Sequence, residues 1–136
     1  MVEHAQRLGI SSFQCETSDI SFQNASVKAC AYAIELKDKE ILLQEASEDI
    51  NLKDFKCVFM RKDPPVDQDY MNTLHLLDLA SSEGANIIND PSAVKKFNEK
   101  IFALYFAKYI PSTIITSKVS EIKSFAQDFT EIVIKP

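Results

Sequence analysis

A chain of 136 residues, 46% hydrophobic and 26% charged, holds enough apolar matter for one domain with a core of its own. Its net charge of −5 argues against a general nucleic-acid binder, which needs a basic face. It has no apolar run of about eighteen residues, so no helical membrane span is expected.

In chain order, residues 2–8 read as a short helix closed by Gly9, a glycine suited to a helix C-terminus. Met1 is then expected to lie inside that helix, with earlier turns missing. The start is polar and lacks the apolar core of a secretory signal. Residues 10–15, 19–22 and 25–36 are expected to be extended, although the alanines in the third weaken its pattern. Lys37-Asp38-Lys39 is a turn. Ile41-Leu42-Leu43 is a candidate strand, and the acidic stretch 45–51 is expected as a surface loop.

A hydrophobic strand is predicted over residues 55–60. Asp67 is suited to cap the next helix, in which Met71, Leu74, Leu77 and Ala80 fall on one face. Gly84 closes it, and 86–89 forms a short buried strand. Asp90-Pro91 starts another helix, with Phe97, Ile101, Leu104 and Tyr105 inward, running to about residue 109. Pro111 ends it. Residues 113–116 read as a strand, Ser117 as the cap of a helix carrying Ile122, Phe125 and Phe129, and 131–135 as a last strand. From residue 55 the order alternates strand and helix, which predicts α/β packing.

Cys15, Cys30 and Cys57 are widely spaced and form no metal-ligand pattern, as expected of reduced thiols in a cytoplasmic protein. There are only two glycines, Gly9 and Gly84, too few for a phosphate-cradling loop. If the chain binds ATP, it does not supply the whole phosphate site. His4, His75 and Tyr70 read as ordinary helix and packing residues.

Two cations, an anion and two prolines follow the strand at 55–60, as Arg61-Lys62-Asp63-Pro64-Pro65. The prolines stop the strand and stiffen the turn. Ligands bind at the carboxyl ends of strands in open α/β sheets. An arginine there either grips a carboxylate or phosphate with two hydrogen bonds, or pairs locally with Asp63 or caps a helix end. Lys100, taken alone, reads as part of a solvated helix face. Lys135, ending an apolar strand, must either reach solvent or meet an anion.

The string Met60-Arg61-Lys62-Asp63-Pro64-Pro65, then Asn98-Glu99-Lys100, then Ile132-Val133-Ile134-Lys135-Pro136 resembles, in order and spacing, the bacterial type of glutathione synthetase. The resemblance is strong from residue 55 onward and weak before it. It implies a Rossmann-like, mostly parallel pre-ATP-grasp domain over 1–111, its first strand missing, and the truncated start of an ATP-grasp domain over 112–136. It assigns Arg61 to the substrate side and Lys100 and Lys135 to ATP, with no catalytic residue and no magnesium ligand in this chain. It further implies ATP-driven ligation of γ-glutamylcysteine to glycine through an acyl phosphate, a cytoplasmic homo-oligomer at full length, and an isolated fragment without activity. Three positions depart from the family: Val66 for phenylalanine, Asp90 for lysine and Lys95 for arginine. Two other readings remain: a different ATP-grasp peptide or amino-acid ligase, and a non-enzymatic α/β interaction module.

Overall fold

The structure, a computed structural model, describes residues 1–38, 40–62 and 65–135, with the backbone alone described at 45–48 and 99. The chain divides into two units, Met1–Phe97 and Asn98–Pro136.

In the first unit, α1 (Val2–Arg7) ends at Gly9, whose φ of 68° suits glycine alone without strain. After β1 (Ser12–Gln14) and a 3-10 turn at Thr17–Asp19, β2 (Ile20–Gln23) meets a two-residue turn. Asn24 and Ala25 both take positive φ there, 53° and 59°, which matches the twist of a tight hairpin. The chain returns as β3 (Ser26–Lys37), turns again at Asp38 (φ 52°), and runs back as β4 (Glu40–Asn51). Lys39, the last residue of the expected turn, lies outside the described residues. β3 is the centre of this sheet: β4 lies along one border, and β1 and β2 share the other, all antiparallel.

This corrects the expectation of a mostly parallel, Rossmann-like sheet. Among the described residues, parallel pairing is confined to β5 (Val58–Phe59) with β6 (Ile87–Ile88). A parallel pair needs a crossover of a dozen or more residues, while a hairpin needs only a turn. One such crossover is present, α2 (Gln68–Ser82). The stretch 45–51, expected as a loop, belongs to β4. Its polar composition suits an edge strand, where charge discourages unwanted pairing.

The core lies between β3 and α2. Val27, Ala29, Leu52, Leu77, Ala80, Ala85 and Ile87 form one buried cluster. Alanine is a weak strand former, but at position 29 its small side chain lets the helix come close. Leu74 and Leu77 are fully buried, each stabilising the unit by roughly 1.5–3 kcal/mol. Asp67 caps α2, its Oδ1 accepting the Tyr70 amide at 2.9 Å, and Gly84 (φ 103°) follows its end. Asp90 caps α3 (Pro91–Lys96) in the same way, accepting the Ala93 amide at 2.7 Å.

The second unit holds α4 (Glu99–Phe102), a 3-10 segment Ala103–Tyr109 and α5 (Val119–Gln127). The single helix expected over 90–109 is broken at Phe97, which takes φ −108° and ψ 90°. Phe97, Ile101, Leu104 and Tyr105, expected inward, are all exposed. Ile122 and Phe125 are half-buried, and Phe129 stacks on Phe125 with ring centroids 4.8 Å apart. Thr116, not Ser117, organises the start of α5. Its hydroxyl accepts the Lys118 amide (3.1 Å) and donates to Glu121 (2.7 Å). The expected strands at 113–116 and 131–135 have no ladder partner among the described residues. A strand needs a neighbour to satisfy its amides, and without one it stays irregular.

Candidate functional site

In the first unit the site is built on the parallel pair. Val58 donates to Asn86 O (2.8 Å) and Met60 to Ile88 O (2.9 Å), so the two strands end side by side. Arg61 follows one and Asn89 the other. Together with Met1, Phe59 and Ile88 they line an open hollow of about 260 Å³. Arg61 is exposed, and among the described residues it has no ion-pair partner. Asp63, the expected local alternative, lies outside the described residues. The other cation of the string is engaged: Lys62 Nζ meets Glu16 Oε2 at 3.3 Å, and the Glu16 amide is held by Asp19 at 2.8 Å. Thus Lys62 ties the strand end to the 3-10 turn, while Arg61 remains available to an anion. Sequence reasoning missed Asn89. Its signal was the register of two strands rather than a motif.

Lys100 and Lys135 both belong to the second unit. Asn98 caps the helix bearing Lys100: its Oδ1 accepts the amides of Lys100 (3.0 Å) and Ile101 (3.2 Å). The asparagine of the Asn98-Glu99-Lys100 string therefore has a local structural role. Lys135 is exposed on an irregular segment in which Val133 is 84% exposed. This corrects the expectation that Lys135 ends a buried strand, and the argument from the cost of a buried ammonium lapses with it.

Two of the three departures have structural roles. Asp90 is the α3 cap described above. Lys95 Nζ meets Asp78 Oδ2 at 2.7 Å, and Ser92 Oγ donates to Asp78 Oδ1 at 2.8 Å. These bonds from Lys95 and then Ser92 hold the Asp78 carboxyl below the ordinary carboxylate range. Val66 is exposed. Burial pushes the Cys15 thiol up, with Asp19 and Glu16 nearby adding to the effect, so it is a poor nucleophile. Cys15, Cys30 and Cys57 are half-buried thiols that form no disulfide with one another. A second hollow, of about 320 Å³, lies between the 3-10 turn (Thr17, Ser18) and α2 (Asp69, Asn72). Among the described residues no group of three or more His, Cys, Asp or Glu side chains could hold a metal ion. No described helix is long and apolar enough to cross a membrane.

Residues 1–95 match the model of the prokaryotic glutathione synthetase N-terminal domain, and residues 99–136 match that of the prokaryotic glutathione synthetase ATP-grasp domain. The chain belongs to the prokaryotic glutathione synthetase family. The junction between the two matches coincides with the division of the structure after Phe97. The break expected at Pro111-Ser112 lies inside the second unit. Arg61 and Asn89 fall in the family's N-terminal domain, and Lys100 and Lys135 in its ATP-grasp domain.

Among curated proteins, the glutathione synthetase of Prochlorococcus marinus (strain MIT 9313) is 36% identical over 136 residues, covering 100% of this chain and 44% of that protein. That of Parasynechococcus marenigrum (strain WH8102) is 34% identical over the same shares. The Vibrio parahaemolyticus enzyme (serotype O3:K6, strain RIMD 2210633) is 33% identical over 138 aligned positions, again 100% and 44%. The chain thus spans less than half the length of these relatives.

Proposed function

We propose that this chain is the N-terminal part of a glutathione synthase, an ATP-dependent ligase joining γ-glutamylcysteine to glycine. The observation that carries the reading is the match along the whole chain, N-terminal domain followed directly by ATP-grasp domain. In this reading a carboxylate oxygen of γ-glutamylcysteine attacks the γ-phosphorus of ATP. An O–P bond forms, the bond to ADP breaks, and an acyl phosphate results. The glycine amine then attacks the acyl carbon. The C–N bond forms, phosphate leaves with the former carboxylate oxygen, and the amine loses a proton.

Arg61 binds a carboxylate of the dipeptide. Its position at the end of β5, its exposure and the hollow beside it support that role. A guanidinium offers two parallel donors to a carboxylate. Lys100 and Lys135 serve the nucleotide as point charges, a role supported by their place in the strings that resemble the family. In this reading the phosphate loop and the magnesium ligands are supplied by the rest of the protein, a division that the chain's two glycines suit. Bound magnesium would offset charge on the phosphate oxygens. The 136-residue chain alone is inactive, and the full-length protein works in the cytoplasm as a homo-oligomer.

The test is an oxygen-transfer experiment on the full-length protein. γ-Glutamylcysteine labelled with oxygen-18 in its cysteinyl carboxylate should deliver one labelled oxygen to inorganic phosphate for each peptide bond formed. Unlabelled phosphate would exclude the acyl phosphate route.

A further inference from the structure

The pairing of β5 with β6 reaches Met60, whose amide donates to Ile88 O (2.9 Å) and whose side chain packs against the buried cluster. Arg61 and Lys62, next in the chain, belong to no helix or strand and are exposed. A guanidinium on such a segment keeps the advantage of its two-pronged geometry only if the backbone beneath it is held. The contact that holds it is Lys62 Nζ with Glu16 Oε2, 3.3 Å apart. Glu16 is suited to be an anchor. It opens the 3-10 turn as half of a capping box, its amide donating to Asp19 Oδ2 at 2.8 Å. Cys15 and Ile20, on either side of that turn, pack against the buried cluster. The turn is therefore fixed to the core at both ends, and Lys62 is fixed to the turn. Arg61 lines the hollow, and Lys62 does not. The Lys62 and Glu16 side chains are 46% and 60% exposed, so their attraction adds little to folding stability. What it restricts is the direction of the residue before Lys62.

We propose that Glu16 is a positioning residue for substrate binding: through Lys62 it holds Arg61 in the orientation that receives a carboxylate of the dipeptide. Glu16 touches no substrate, and its charge acts on Lys62. The inference rests on the assignment of Arg61 in the proposed function and deepens it.

The test is steady-state kinetics of the full-length protein. Glu16→Gln keeps a side-chain oxygen in the capping box and removes the charge, so the turn survives and the urea midpoint should not move. The variant should raise KM for γ-glutamylcysteine by about twofold to fivefold and leave KM for ATP unchanged. Lys62→Met should do the same, and the double variant should do no more than either alone. With Arg61 already replaced by lysine, Glu16→Gln should have no further effect. An unchanged or lower KM for γ-glutamylcysteine in Glu16→Gln overturns the inference. So does an effect that persists in the Arg61→Lys background, because Glu16 then acts by another route. A far larger effect of Lys62→Met than of Glu16→Gln also overturns it, since Lys62 would then bind substrate itself. A rise in both KM values with a lower urea midpoint would make the pair structural only, and overturns it too. If Arg61→Lys raises KM for γ-glutamylcysteine and Glu16→Gln does not, only the inference fails. If Arg61→Lys leaves that KM unchanged, the assignment of Arg61 fails and takes the inference with it.

Discussion

The Glu83 carboxylate, just past the end of α2, accepts the backbone amide of Val27 at 3.1 Å and so fastens that helix to the central strand β3. Ser26 Oγ lies 3.3 Å from the same carboxylate oxygen and 2.6 Å from Asn51 Oδ1 on β4. The hydroxyl has one proton, and the shorter contact takes it. Three elements therefore meet at one point above the buried Val27. Replacing Glu83 by alanine leaves the Val27 amide unpaired at that point. The expected loss is about 1–3 kcal/mol, read as a lower urea midpoint with an unchanged slope. An unchanged midpoint would show that water satisfies the amide equally well.

Ala25 offers the opposite sign. Its φ of 59° puts a side chain where L-residues are disfavoured by roughly 1–2 kcal/mol. Glycine there removes that penalty and costs roughly 0.5–1 kcal/mol in chain entropy. The balance favours Ala25→Gly by about 0.5–1 kcal/mol, and Asn-Gly is the preferred pair for such a turn. A lower thermal midpoint for this variant would contradict the turn geometry.

Asp78 sets a pH dependence. Its carboxyl is held below the ordinary value by Lys95 and Ser92, so the unfolded chain takes up a proton at that site more readily than the folded one. Its contribution is fully present above the ordinary carboxylate value, about 4, and is lost as pH falls through the lower folded value. Urea titrations of the natural chain and of Asp78→Asn, from neutral pH downward, should show a stability difference that shrinks in that acid window. A difference independent of pH would mean that the Lys95 contact is not charge-assisted.

Arg61 should separate from the two lysines in kinetics of the full-length protein. Arg61→Lys keeps the charge but loses the two-pronged geometry. It should raise KM for γ-glutamylcysteine by about tenfold or more and leave KM for ATP unchanged. Lys100→Met and Lys135→Met should do the reverse. A common effect on both constants would contradict the division of roles.

Much of this architecture was legible as local chemistry. Asp67 and Asp90 announce helix starts, Gly9 and Gly84 announce ends, and Leu74, Leu77 and Ala80 of the α2 stripe are buried as their spacing requires, with Met71 half-buried. The sheet was not legible. Stretch 45–51 is polar because it lies on an edge, and polarity alone does not distinguish an edge strand from a loop. Nor does an apolar run at 131–135 make a strand without a neighbour to pair with. At the candidate site, Arg61 was visible because a rigid string follows a strand. Asn89 was not, because it reaches the same hollow only through the pairing of Phe59 with Ile88.

ADP release by the full-length protein tests the central claim most directly. Release over many turnovers is expected to require γ-glutamylcysteine and glycine together, yielding one glutathione per ADP, while the 136-residue chain alone releases none. ADP formed with a different acid and amine, and not with this pair, would contradict the account.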